Sequence, residues 1–377
     1  MLFSTTVGMQ GDSNPLERNG AFLPAVLPGG KSVREDYNSR ISATGTVRAG
    51  EGPLKVDVGG TYVKIDSFRI DPLDRSDYQF GGNVGWTPGQ LFDVQLRALQ
   101  SRASVGLADI GGFSAAQQTS QIAEGTFRLR PVPRWQLSAT PGWSRWKLPQ
   151  PSAPDFMLHE NSGGLGVDYL GNGPVVPGVL LKVSRGRYSG IANATRYQDD
   201  SVQANVAYNV TNFSSFRLLA GHTRRTTRLV EPTTDPFVQS IEGTTPAFTG
   251  SLTYQRTLTA KTSVILGVTR DFTQYDAGVN TTVGTGFNGA LTWAATTRVT
   301  MDVGTRFTWS KIEALQPTVP IRARTDLVRL YTAGVNYAPG KRFSFRAYAS
   351  RSQRDSTFRY ALFNRTIAGL DLTATFD

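Results

Sequence analysis

One pattern recurs about every twenty residues along this chain: some ten residues alternating apolar with polar or small, then a break. Residues 298–309 show it. Val299, Met301, Val303, Phe307 and Trp309 fall on one set of alternate positions, with Arg298, Thr300, Asp302, Arg306 and Thr308 on the other. Successive side chains of a strand point to opposite faces, so such a segment has an oily side and a wet, charged side. A water-soluble sandwich carries the same period, and one strand decides nothing. Recurrence along the whole chain, alternating break lengths and aromatic strand ends together predict an all-β transmembrane antiparallel barrel of the outer-membrane kind.

The spacing predicts about eighteen strands, within a range of sixteen to eighteen, among them residues 3–9, 40–48, 135–146, 299–310 and 366–376. Short breaks carry turn residues, as in Thr87-Pro88-Gly89-Gln90 and Ala338-Pro339-Gly340-Lys341. Longer polar connections alternate with them, including 10–36, 106–120, 228–246 and 355–360. Short turns at one end and long loops at the other predict periplasmic turns and extracellular loops, with both termini periplasmic and an even strand number. Residues 1–377 are expected to form one barrel domain. The loop 10–36 is expected to fold inward as a constriction or to form an external lid.

Composition agrees. Hydrophobic residues make up 39% of the 377, below the globular average of about 45–50%, and no apolar run approaches the roughly 18 residues a spanning helix needs. A barrel requires an apolar residue only at every second position. Cysteine is absent, which removes thiol chemistry and disulfides. Residues 1–10 lack the basic start and apolar core of a signal peptide, so the chain is expected to be a mature form.

Aromatics gather where the apolar face meets a short turn: Trp86, Phe92, Trp135, Tyr208, Phe216, Tyr254, Trp293, Tyr337 and Phe343. Amphipathic rings favour the headgroup level, so these residues are expected to form a girdle against outer-membrane lipid. In hydrocarbon an unpaired backbone group costs several kcal/mol, so the last strand must pair with the first. Sixteen to eighteen strands enclose an aqueous interior.

Alternation assigns the lumen wall. Its cations are Arg40, Arg48, Lys55, Arg97, Arg128, Arg130, Lys182, Arg217, Arg306, Arg342 and Arg346, and its aromatics Tyr188 and Tyr348. On this assignment they outnumber the acids Asp57, Asp93, Glu124, Asp271, Asp302 and Asp371, in keeping with a net charge of +11. Guanidinium groups bind carboxylate and phosphate in pairs of hydrogen bonds, so such a wall favours acidic solutes or acidic sugar chains. Any wide barrel also fills its wall with paired charges for rigidity, and that alternative stands beside the first.

Other chemistry finds little support. Gly284-Thr285-Gly286-Phe287-Asn288-Gly289 matches a dinucleotide glycine pattern but lies within a strand, so no cofactor is expected. His159 and His222 lack metal-binding spacing, no G-x-S-x-G elbow occurs, and no nucleic-acid module is recognised. The expectation is a protein that is not an enzyme and has no catalytic residue, metal or nucleic-acid partner.

From about residue 156 to residue 376 the chain resembles the outer-membrane barrels of exosortase-associated exopolysaccharide gene clusters (EpsL-like proteins). The matching stretches are Asn161-Ser162-Gly163-Gly164-Leu165-Gly166-Val167-Asp168-Tyr169, Arg196-Tyr197-Gln198-Asp199-Asp200 and Phe216-Arg217-Leu218-Leu219-Ala220-Gly221-His222-Thr223-Arg224-Arg225. They continue with Phe248-Thr249-Gly250-Ser251-Leu252-Thr253-Tyr254 and Ser263-Val264-Ile265-Leu266-Gly267-Val268-Thr269-Arg270. The resemblance implies a barrel taking part in polysaccharide synthesis or export, with a periplasmic export partner and the barrel-assembly machinery, and it supplies no catalytic residues. Such barrels commonly finish on an aromatic, whereas here Asp377 follows Phe376. The leading expectation is an export pore for acidic polysaccharide. A general anion-preferring porin and a non-conducting barrel anchoring surface polymer are the alternatives.

Overall fold

The structure, a computed structural model, describes residues 2–14, 35–50, 52–68, 74–104, 117–149, 155–190, 194–231, 242–273, 282–312, 324–357 and 362–376. The strand segments among them are β1 (Leu2–Asp12), β2 (Asp36–Ala49), β3 (Leu54–Ser67), β4 (Arg75–Trp86), β5 (Phe92–Ser104), β6 (Gln117–Val132), β7 (Trp135–Ala139), β8 (Gly142–Leu148), β9 (Phe156–Tyr169) and β10 (Val175–Ser189). They continue with β11 (Thr195–Thr211), β12 (Ser214–Leu229), β13 (Gly243–Thr259), β14 (Thr262–Thr273), β15 (Thr282–Ala294), β16 (Val299–Ile312), β17 (Arg324–Tyr337), β18 (Phe343–Ser356) and β19 (Phe363–Phe376).

β7 and β8 are two halves of one stave, both pairing with β6 and with β9. The interruption is Thr140-Pro141. Proline has no N–H to give the ladder, yet its carbonyl accepts from Gly125 at 2.9 Å, and Thr140 exchanges two backbone bonds with Gly164. The barrel therefore has eighteen staves, each antiparallel to the next, and β19 closes onto β1 from Phe3 opposite Phe376 to Asp12 opposite Ile367. No sheet edge is left for hydrocarbon to meet.

Directly opposed residues share a face, so one assignment fixes every strand. Val7 is exposed and apolar. From it the outward set passes to Ile41, Val58, Leu96, Leu165, Leu181, Val202, Val303 and Leu370, all large and exposed. Carried round the circuit, the assignment returns to Val7 through Leu372 without contradiction. The exposed oily face and the closed ladder make this a transmembrane barrel.

Short connections join the strands at one end, such as 212–213 between β11 and β12, and longer ones join them at the other. In the turn after β2, Gly52 takes φ 63°, a left-handed backbone that side chains disfavour.

Several strands run further at the long-loop end than alternation predicts. β1 reaches Asp12, β2 starts at Asp36, β18 reaches Ser356 and β19 starts at Phe363. The reason lies inside the barrel: Arg365 pairs with Asp12 and Arg354 with Asp326, each at 2.6 Å, and the Ser67 hydroxyl donates to Asp36. These bonds hold the ladder together beyond the oily band, where both faces are wet. Of the expected lid or constriction at 10–36, residues 15–34 lie outside the described residues.

Candidate functional site in the barrel lumen

All nine expected girdle aromatics occupy outward positions at the short-turn end. Trp86 meets Phe92 edge to face at 5.8 Å, Phe216 stacks on Tyr254 at 4.4 Å and on Tyr208 at 6.4 Å, and Trp135 meets Tyr169 at 5.2 Å. The belt also contains Phe3 beside Phe376 and Phe345 beside Tyr337, whose place next to the same turns would have marked them. A second outward group, Phe307 with Trp309 and Tyr331, lies toward the long-loop end.

Of the thirteen expected lumen residues, twelve take inward strand positions. Arg342 does not: it lies in the short turn before β18, exposed, with its carbonyl accepting from Thr375. The turn follows Pro339-Gly340, and strand alternation has no meaning there.

Much of the expected cationic excess is already partnered. Arg128 reaches Asp93 at 2.6 Å, Arg48 reaches Asp57 and Arg346 reaches Asp302 at 3.2 Å, while Arg40 faces Asp371 at 3.8 Å and Arg97 faces Glu124 at 3.9 Å. The exposed pairs among them, Arg48 with Asp57, Arg97 with Glu124 and Arg346 with Asp302, are worth about 0–1 kcal/mol each, so they tune the lumen's field more than they hold the wall. Arg130 donates to Gln136 at 3.2 Å. The ladders also bring Asp12, Asp36, Asp77, Glu160, Asp168, Asp199 and Asp326 inward, together with the bases Arg75, Arg225, Arg354 and Arg365. Inward acids therefore nearly balance inward bases, and the expected arginine excess in the lumen does not hold. Lys55, Lys182, Arg217 and Arg306 are exposed and carry no hydrogen bond or ion pair among the described residues.

The two lumen tyrosines are already engaged within the wall. Tyr348 is half-buried and donates to Gln10 at 3.0 Å. Tyr188 is buried between Phe156 at 5.7 Å and Tyr197 at 5.5 Å, over Leu158, which is 1% exposed. Against this stack lies Arg225. Its guanidinium sits 4.4 Å from the Tyr197 ring centre and 4.5 Å from that of Phe272, and it donates twice to Asp199, at 2.7 Å each. The Tyr197 hydroxyl donates to Glu160. A paired guanidinium between two rings uses its edge for the carboxylate and its faces for the aromatics. Phe272 lies beyond Arg270, the last residue of β14 paired with β13.

Sequence reasoning singled out neither Arg225 nor Asp199 for the lumen. A signal existed in the doublets Asp199-Asp200 and Arg224-Arg225 on adjacent strands. One member of each must face inward, and register makes Asp199 oppose Arg225 inside while Asp200 opposes Arg224 outside.

The glycine pattern 284–289 lies within β15, where Gly286 lets the strand pass the Thr269 hydroxyl. His222 faces outward between Val202 and Phe248.

No family model and no curated protein matches this chain. Among solved structures it is similar to the copper transporter OprC, with a TM-score of 0.49 and 10% identity over 94% of this chain and 61% of that one. It is also similar to OccAB3 of Acinetobacter baumannii (TM-score 0.48, 12% identity, 100% and 99% covered) and to the siderophore receptor PirA of Pseudomonas aeruginosa (0.44, 11%, 100% and 80%). The chain thus spans less than two thirds of the length of OprC.

Proposed function

We propose that the barrel lies in a bacterial outer membrane, termini toward the periplasm, as a passage through which an acidic polysaccharide leaves the cell. The observation that carries this reading is the set of uncommitted cations Lys55, Lys182, Arg217 and Arg306, spaced round a wall that also carries hydroxyls, amides and mutually paired charges. Such groups hold an anionic chain by weak, exchangeable contacts, and paired charges beside them keep it hydrated. The resemblance of residues 156–376 to exopolysaccharide-cluster barrels supports the same cargo, with a periplasmic partner feeding the lumen.

Near-balance of lumen charge favours a second reading, a porin with a mild preference for small anions. Conductance of the purified protein in planar bilayers separates the two. Under the export reading, an acidic polysaccharide added at the short-turn side blocks current at concentrations where neutral dextran of equal length does not. Equal blockade by both polymers overturns that cargo. In cells, deletion of the gene lowers surface polysaccharide, and unchanged secretion counts against export.

A further inference from the structure

The lipid-facing wall carries a feature for which passage through the lumen has no use. Arg145 on β8, His159 on β9, Arg187 on β10, Arg196 on β11 and Arg228 on β12 are directly opposed, each to the next. They face outward, because Trp143, Leu165, Val183 and Val202 occupy the same face of their strands and are exposed. Four strand spacings of about 4.8 Å make the row roughly 19 Å long.

Arginines directly opposed across a ladder repel one another and weaken it. The row contains no acid to offset this. Among the described residues Arg187, Arg196 and Arg228 are exposed and have no hydrogen bond or ion pair, and the one hydrogen bond of the Arg145 side chain goes to the Met157 sulfur at 3.9 Å. Asp200, the outward carboxylate of β11, is engaged elsewhere: it opposes Arg224 and accepts from Gln198 at 2.9 and 3.1 Å.

The row lies within the last few residues of its strands at the long-loop end, above the oily band, at the level of lipid headgroups. The next outward row below it is Asn161, Arg185, Gln198 and Thr226, again directly opposed. Guanidinium groups bind phosphate oxygens through paired N–H donors, and amides and a hydroxyl beneath them suit sugar hydroxyls and amides. We propose that this face is a docking surface for a phosphate-bearing glycolipid of the leaflet at the long-loop end, one whose sugar headgroup carries at least two phosphates. The lipid's phosphates then neutralise the arginine row, and the barrel is more stable with the lipid than without it.

The test is the unfolding temperature of the full chain in phosphatidylcholine bilayers with and without diphosphorylated lipid A, with phosphatidylglycerol at matched charge as the comparison. The expected result is a rise of several degrees with lipid A and a smaller one with phosphatidylglycerol. In R187Q/R196Q/R228Q the lipid A rise falls by at least half, whereas R256Q, an outward cation near the short-turn end, keeps it. If the triple variant does not fold, R196Q alone is measured, and it shows a reduced rise that R196K restores. A full rise in the arginine variants, or an equal rise with phosphatidylglycerol, overturns the proposal.

Discussion

Thr6 and Thr373, 367 positions apart in the chain, share a hydrogen bond of 2.8 Å across the seam where β19 meets β1. The bond lies on the lumen side, and the register there is set by every other pairing in the circuit. Directly opposed positions have Cα atoms about 4.5–5.5 Å apart, within disulfide range. The chain has no cysteine of its own. T6C/T373C is therefore expected to form one cross-link on oxidation, and T6C/L372C, whose side chains face opposite sides, is not. Mobility on denaturing gels before and after reduction reads this directly. Equal cross-linking of both pairs rejects the register.

Leu181 and Lys182 are neighbours on β10 with opposite surroundings, one toward lipid and one toward water. L181R is expected to cost about 2–4 kcal/mol near the middle of the oily band, while K182L changes stability little. Denaturant unfolding in lipid vesicles separates them, and similar losses for both contradict the assignment of faces.

Charge changes in the lumen have a sign that depends on partnership. K182Q/R217Q/R306Q removes uncommitted cations, so the reversal potential in a salt gradient is expected to move toward cation preference. D302N frees Arg346, held at 3.2 Å in the native wall, and is expected to move it the other way. Movement of both in one direction shows that current does not follow this wall.

The buried pair of Arg225 and Asp199 predicts a different kind of loss. R225Q leaves a carboxylate with most of its water removed and no cation, a change worth about 3–5 kcal/mol. D199N/R225Q, which removes both charges, is expected to recover much of it. A double variant as unstable as the single one assigns the loss to the packing of Tyr197 and Phe272, not to the ion pair.

Alternation made the faces readable, since a period of two needs no knowledge of neighbouring strands. It placed Arg40, Lys55 and Arg306 in the lumen and Trp293 toward lipid, as observed. It failed where one face ceases to be oily, which is why β1 and β19 run further than expected. It could not assign partners either. Arg40 faces Asp371 on the last strand, and that relation exists only once the barrel has closed. Tyr188 was correctly turned inward, but the ring of Tyr197 that covers it comes from the neighbouring strand's register. Phe272 broke the rule altogether, because its strand has parted from β13 at that height.

A wall in which most charges already have a neighbour of opposite sign has a further effect on anything that moves along it. Under the proposed export, a paired charge offers a passing chain only a shallow contact, and each step trades one such contact for another. On that reading the rate of transit is set at the two mouths and by whatever pushes or pulls there.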